Sequence, residues 1–277
     1  MAIDVQRRDR SESIRSGGAE RVAIGPGVWI REFAGKVSGA QGFSTGTALF
    51  EPDATLAYHT HPFSEAITVI NGSARVAVQG RRYTLGPFDC IHIPLEVAHE
   101  VTNLSANAEL LALSAFASQE PTRKLVKDEF VVVERGLDDP ACDDPETIVR
   151  FNKAEIYELS PGAEFRDLFA GRFGAVGICG GYGRFQPESS LPCHIHEYDE
   201  SITIVEGEAI CLVQGNRYSL SGCDTAVVPK GRSHRFLNLS TSAMAMIWVY
   251  AGSEPERTLV DPALCNGSLV WPGRTLP

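Results

Sequence analysis

Histidine is scarce in this chain, with seven among 277 residues. Cysteine is equally numerous, but no two stand in a Cys-x-x-Cys pair. An odd, scattered set reads as reduced thiols in a cytoplasmic protein, not as a disulfide framework. No apolar run approaches the ~20 residues of a membrane-spanning helix. No hydrophobic segment follows Arg7-Arg8, so neither a secretory nor a twin-arginine signal is expected. Positive charge is also short. Against 35 acidic residues stand 25 Lys and Arg, and the net charge of −10 argues against nucleic acid or an anionic membrane as partner. Long amphipathic helical periods are missing as well, which leaves a mostly β protein. A hydrophobic fraction of 43% supplies enough apolar surface for cores.

Six of the seven histidines fall in a pattern that occurs twice. His59-Thr60-His61 is followed by Glu65, Gly72 and, later, His99 and Asn103. His194-Ile195-His196 is followed by Glu200, Gly207, His234 and Asn238, each 135 residues after its counterpart. On a β-strand, residues i and i+2 share a face, so each His-x-His sends two imidazoles into one space. The glutamates open β-branched runs, Ile67-Thr68-Val69-Ile70 a step after Glu65 and Ile202-Thr203-Ile204-Val205 after Glu200. Three imidazoles and a carboxylate suit a divalent first-row transition metal, one per half. Four protein ligands leave positions open for substrate, so reactive sites are expected: His59, His61, Glu65 and His99 in one, and His194, His196, Glu200 and His234 in the other. His92, the remaining histidine, is expected to lie outside both.

The repeat extends well beyond the ligands. Pro26-Gly27 matches Pro161-Gly162, Gln79-Gly80 matches Gln214-Gly215, and Gln119-Glu120-Pro121 echoes Ser253-Glu254-Pro255, with Arg123 and Arg257 following. It divides the chain into a flexible segment over 1–20, a first barrel over 21–134, a linker over 135–150 rich in Asp and Pro, and a second barrel over 151–277. A short helical turn is expected over 146–151.

The spacing His-x-His-x3-Glu-x6-Gly, followed by Pro and a later His-x3-Asn, resembles the two sequence motifs of the cupin superfamily. Two copies make the chain similar to the bicupins. The second motif departs once, where Glu96 stands in place of the usual glycine and Gly231 retains it. The resemblance implies an all-β fold of two tandem, jelly-roll-like barrels related by internal duplication, each with a metal inside. Fe(II) or Mn(II) is favoured, with Ni, Cu or Zn as alternatives.

Resemblance to bicupin dioxygenases suggests an oxidoreductase cleaving a small aromatic, enol or diketone-like substrate. The alternative is a redox-neutral enzyme (decarboxylase, isomerase, lyase or hydrolase) on a small organic acid. A third reading is a ligand-binding or storage protein. Oxalate decarboxylases share this ligand spacing but normally carry an arginine three residues before the first histidine; Leu56 and Leu191 stand there.

Glu65 and Glu200 are candidate general bases as well as ligands. By alternation, Ile67, Val69, Ile202, Ile204, Val101 and Phe236 should face inward, while Asn103 and Asn238 should secure turns. Arg184, if inward, would pair with a substrate anion and make the second barrel the more active one. The expected partner is a small molecule, with room for a homodimer.

Overall fold

The computed structural model describes residues 10–266; the expectations for 1–9 and 267–277 lie outside the described residues. Each half folds as two facing sheets. In the first, a seven-stranded sheet runs in the order Thr147–Val149, Cys90–Ile93, Glu65–Asn71, Leu110–Phe116, Ser44–Phe50, Val28–Ala34 and Val22–Gly25. Opposite it lies a smaller sheet containing Thr55–Thr60, His99–Asn103, Ala74–Val78 and Arg81–Leu85. The second half repeats the seven-stranded order strand for strand, beginning with Ser13–Arg15 and Thr225–Val228. This is the expected all-β fold of two jelly rolls, although the sheets stay open and do not close into barrels.

Alternation explains why the central strands read as continuous apolar runs. On Leu110–Phe116, Leu110 and Ala112 face the interior of the first half. Leu113 and Ala115, of the other parity, pack against Phe169, Ile247 and Val249 of the second half. The two large sheets therefore stack back to back, and each is buried on both faces. Phe33, Phe43 and Phe169 are wholly buried, and each such ring contributes about 1.5–3 kcal/mol of transfer free energy. Thr45 Oγ1 and Ser201 Oγ meet across the same interface at 3.1 Å. The metal-ligand sets lie in the two outer gaps, so the halves share a core but not a site.

The ends of each half are exchanged. Ser13–Arg15, which precedes the first half in sequence, pairs with Thr225–Val228 of the second. Thr147–Val149, which precedes the second half, pairs with Cys90–Ile93 of the first. Residues 13–15 are thus a strand and not a loose tail, and Arg10 adds an ion pair to buried Asp199. The span 135–150 is likewise no free linker. Val133–Gly136 adds a parallel strand beside Arg81–Leu85. Buried Glu146 accepts two bonds from Arg81, at 2.7 and 2.8 Å, and one from the Tyr83 hydroxyl at 2.7 Å. Extended pairing of 147–149 also replaces the helical turn expected over 146–151, because the open edge of Cys90–Ile93 satisfies its backbone groups better than an isolated turn.

Cysteine counting misled in one place. Cys193 and Cys265 form a disulfide with a Cα separation of 5.9 Å. It ties the strand carrying His194 to the short helix Ala263–Asn266. The cytoplasmic reading loses the support it took from uniformly reduced thiols. Among the described residues, no helix is long and apolar enough to cross a membrane.

Candidate metal centres

Three histidines reach each site from the small sheet, and one glutamate comes across the gap from the large sheet. His59 and His99 are cross-strand partners in register. His61 follows two residues later on the same face, and Glu65 opens the facing strand Glu65–Asn71. In the second half His194 and His234 are paired in the same way. All eight expected side chains are buried, and in each set the ligand atoms lie within 4.8 Å of one another. His99 Nε2 is 2.9 Å and His61 Nε2 3.2 Å from Glu65 Oε2. The corresponding distances to Glu200 Oε2 are 2.7 Å from His234 and 3.2 Å from His196.

Whether these groups suit a metal is decided by the other face of each ring. Nδ1 of His59, His99, His194 and His234 lies 2.8–3.0 Å from a backbone carbonyl two residues earlier in the chain. His61 Nδ1 is bonded to the Thr122 carbonyl and His196 Nδ1 to that of Glu256, at 2.5 and 2.7 Å. A carbonyl can only accept, so Nδ1 carries the proton and Nε2 presents its lone pair to the centre.

Electrostatics point the same way. Burial, with His99 beside it, lowers the His59 pKa to about 3, so its imidazole stays neutral. Burial, reinforced by His234 and His196, also holds His194 well below the usual range. Burial alone would raise the Glu65 carboxyl, but hydrogen bonds and charge from His61 and His99 hold it well below the carboxylate range. Charge from His196 and His234 lowers Glu200 similarly. Burial would lower the His61 pKa, but its hydrogen bond to Glu65 and the charge there raise it. An ionised carboxylate among three imidazoles is in each case a donor set suited to a divalent transition metal.

The turns around the ligands are built alike. Glu96 N–H donates to the His61 carbonyl at 2.7 Å, and Gly231 N–H to that of His196 at 2.9 Å. Both turn residues have positive φ, 59° at Glu96 and 75° at Gly231, so the departure at Glu96 alters a turn and leaves the ligands in place. Asn103 and Asn238 are structural as expected, each donating from Nδ2 to backbone carbonyls that include Ala108 and Ser242. Ile67, Val69 and Val101 line the first interior, and Ile202, Ile204 and Phe236 the second. His92 stays outside both spheres, buried where Cys90–Ile93 approaches the second half.

The two interiors differ. In the first, a cavity of about 580 Å³ opens onto His59, His61, Glu65 and His99, walled in part by Ala48, Ala112, Ser114 and Phe116. In the second, Met246 and Trp248 hold the places of Ala112 and Ser114, and both belong to the buried core. Gly181 admits the tryptophan, since a Cβ there would lie 2.6 Å from its ring, and Gly183 likewise makes room for Phe165, 2.7 Å from where its Cβ would be.

Arg184 is not part of either site. It sits on the outward parity of Cys179–Phe185 and pairs with Glu206 at 2.8 Å near the surface. Tyr182 shares that parity and stacks with Phe88 and Phe151 between the halves. The expectation that the second half is the more active one therefore loses its basis. Arg123 was not assigned to a site by sequence, yet it lines the first cavity; its echo with Arg257 in the repeat was the available signal.

Two open jelly rolls, each enclosing a three-histidine, one-glutamate shell, define a duplicated metal-binding β protein. The chain belongs to the cupin family: the Cupin domain profile matches residues 46–116 and 181–250. No curated protein matches the sequence. Among solved structures it is similar to oxalate decarboxylase of Lactobacillus farciminis in complex with formate, at 16% identity and a TM-score of 0.73, covering 89% of this chain and 88% of that one. It is similar to a mutant oxalate decarboxylase of Bacillus subtilis at 15% identity and 0.72, covering 89% and 79%. Another structure of the Bacillus enzyme concerns its Mn(II) centres. At these identities the likeness shows the fold. The expected oxidoreductase, a dioxygenase, is corrected by these neighbours, because decarboxylation of oxalate is redox-neutral overall.

Proposed function

We propose that this protein is a metal-dependent, redox-neutral bicupin enzyme, a lyase of the decarboxylase type acting on a small organic acid in its first half. The observation that carries this reading is the cavity over His59, His61, Glu65 and His99, where Ala112 and Ser114 stand in place of the bulkier Met246 and Trp248 of the second half. A metal held by those four residues, Mn(II) being favoured, would supply Lewis acidity to a substrate oxygen.

The chain's own groups do the rest. The carbonyls of Ala57 and Val97 fix the proton on Nδ1 of His59 and His99 and so aim Nε2 inward. Ionised Glu65 offsets positive charge at the centre. Ile67, Val101 and Phe116 keep the wall apolar and exclude water, which strengthens every charge interaction inside. Glu65, if released from the centre, is placed to accept or return a proton as general base.

The test is carbon dioxide release from a panel of organic acids by the Mn(II)-loaded protein, with His59→Ala and His194→Ala compared. The expected result is loss of turnover by at least 100-fold in His59→Ala and retention within a few fold in His194→Ala. The reverse pattern would place the reaction in the second half.

A further inference from the structure

The rim of the first cavity carries an arginine without an acidic partner. Arg123 lines the cavity and donates from Nη2 to the Ile24 carbonyl on the opposite lip. Among the described residues it makes no ion pair, in a chain where acids outnumber bases. Its rim neighbours do not neutralise it. Lys36 and Glu120 pair with each other. Glu32 accepts from the Val37 backbone and feels Arg15, while its partial burial raises its pKa. Burial penalises the Arg123 charge, and Glu65 deep in the cavity offsets only part of that. Arg123 is exposed at this rim, where a carboxylate entering the cavity would fit the fork of its guanidinium.

Between rim and ligands the wall is apolar, formed by Ile24, Ile30, Leu56, Ile67, Val101 and Phe116. A volume of about 580 Å³ lies in the range that encloses drug-sized organic ligands. We infer that Arg123 is the anchoring residue for one carboxylate of an organic acid with a sizeable apolar body, which spans the cavity and brings a second oxygen group to the His59, His61, Glu65, His99 centre. The substrate class this selects is an aryl- or alkyl-substituted acid and not a compact diacid such as oxalate. The inference deepens the proposed function and rests on its assignment of the first half as the working site.

The experiment is calorimetric binding to the full-length, Mn(II)-loaded protein with three probes: 3-phenylpropanoate, its neutral amide 3-phenylpropanamide, and oxalate. The expected order is 3-phenylpropanoate at least 10-fold tighter than the amide and than oxalate. Arg123→Met should remove the preference for the acid over the amide, Arg123→Lys should restore part of it, and Arg257→Met should leave it unchanged. Circular dichroism and metal content report whether each variant is folded and loaded. An acid preference that survives in folded Arg123→Met overturns the inference, as does tighter binding of oxalate. Carbon dioxide release is measured separately on the same preparations. Arg123-dependent binding without turnover of any acid would remove the enzymatic reading and leave the anchor standing.

Discussion

Trp248→Ser moves the first half's residue into the second and tests whether the bulk of this buried tryptophan stabilises the second half. Trp248 is 2% exposed and stacks on Tyr250 with ring centroids 4.7 Å apart. Its ring also lies where a Cβ on Gly181 would be, so no side chain behind it can move in to close the gap. Truncating a buried Trp in a site that cannot collapse costs about 3–5 kcal/mol. Its Nε1–H has no acceptor among the described residues, so no hydrogen bond is lost and the cost should fall near the lower end. For halves of this size a cost near 3 kcal/mol is a fall in Tm of roughly 9–18 °C. Calorimetry and urea unfolding of the Mn(II)-loaded protein measure it, with turnover followed in parallel. The expected outcome is a large stability loss with first-half turnover intact at a temperature where the variant is folded. A loss below about 1 kcal/mol would show that the tryptophan does not fill the space, and loss of turnover in the folded variant would show that the second half takes part in the reaction.

Two further perturbations follow from the structure. Burial lowers the His92 pKa to about 4, so protonation favours the unfolded chain; its stabilising neutral state is intact above the unfolded value near 6.5 and is lost as pH falls towards 4. His92→Val, which copies Val227, should flatten the pH–stability profile in that window by up to about 3 kcal/mol, and denaturant titrations of both proteins at pH 5 and pH 8 that remain parallel would refute it. Cys265→Ser should lower stability by about 2–4 kcal/mol; because Cys193 precedes His194, it should also reduce metal content from two ions per chain towards one, read by elemental analysis.

The metal ligands were legible because two independent periodicities coincide on them. The two-residue period of a strand puts His59 beside His61, and the repeat places the same set again at His194 and His196. Inward faces could be extended from the ligands along a continuous strand, which is why Ile67, Val101, Ile202 and Phe236 were placed correctly. Parity does not carry through turns and indels, and that is where the reading failed. Arg184 lies on a strand separated from His194 by a turn, so its outward face was not visible. The disulfide joins residues 72 positions apart, and an odd cysteine count hides a single pair. The exchanged strands Ser13–Arg15 and Thr147–Val149 are three residues long, too short for any alternation to register.

The back-to-back stacking gives the second half a part in the work of the first without a shared site. One strand, Leu110–Phe116, forms both the cavity wall, through Ala112, Ser114 and Phe116, and the contact with the second half, through Leu113 and Ala115. Close packing on one face of a strand fixes the position of the other, so the shape of the cavity depends on the second half being well ordered behind it. A ligand that binds only the folded state adds stability in proportion to the logarithm of its saturation. A metal at His194, His196, Glu200 and His234 would therefore stiffen the support on which the first cavity rests. Duplicated ligands with divergent interiors are consistent with that division: one shell faces a cavity of about 580 Å³, and on the wall of the other the bulkier Met246 and Trp248 replace Ala112 and Ser114.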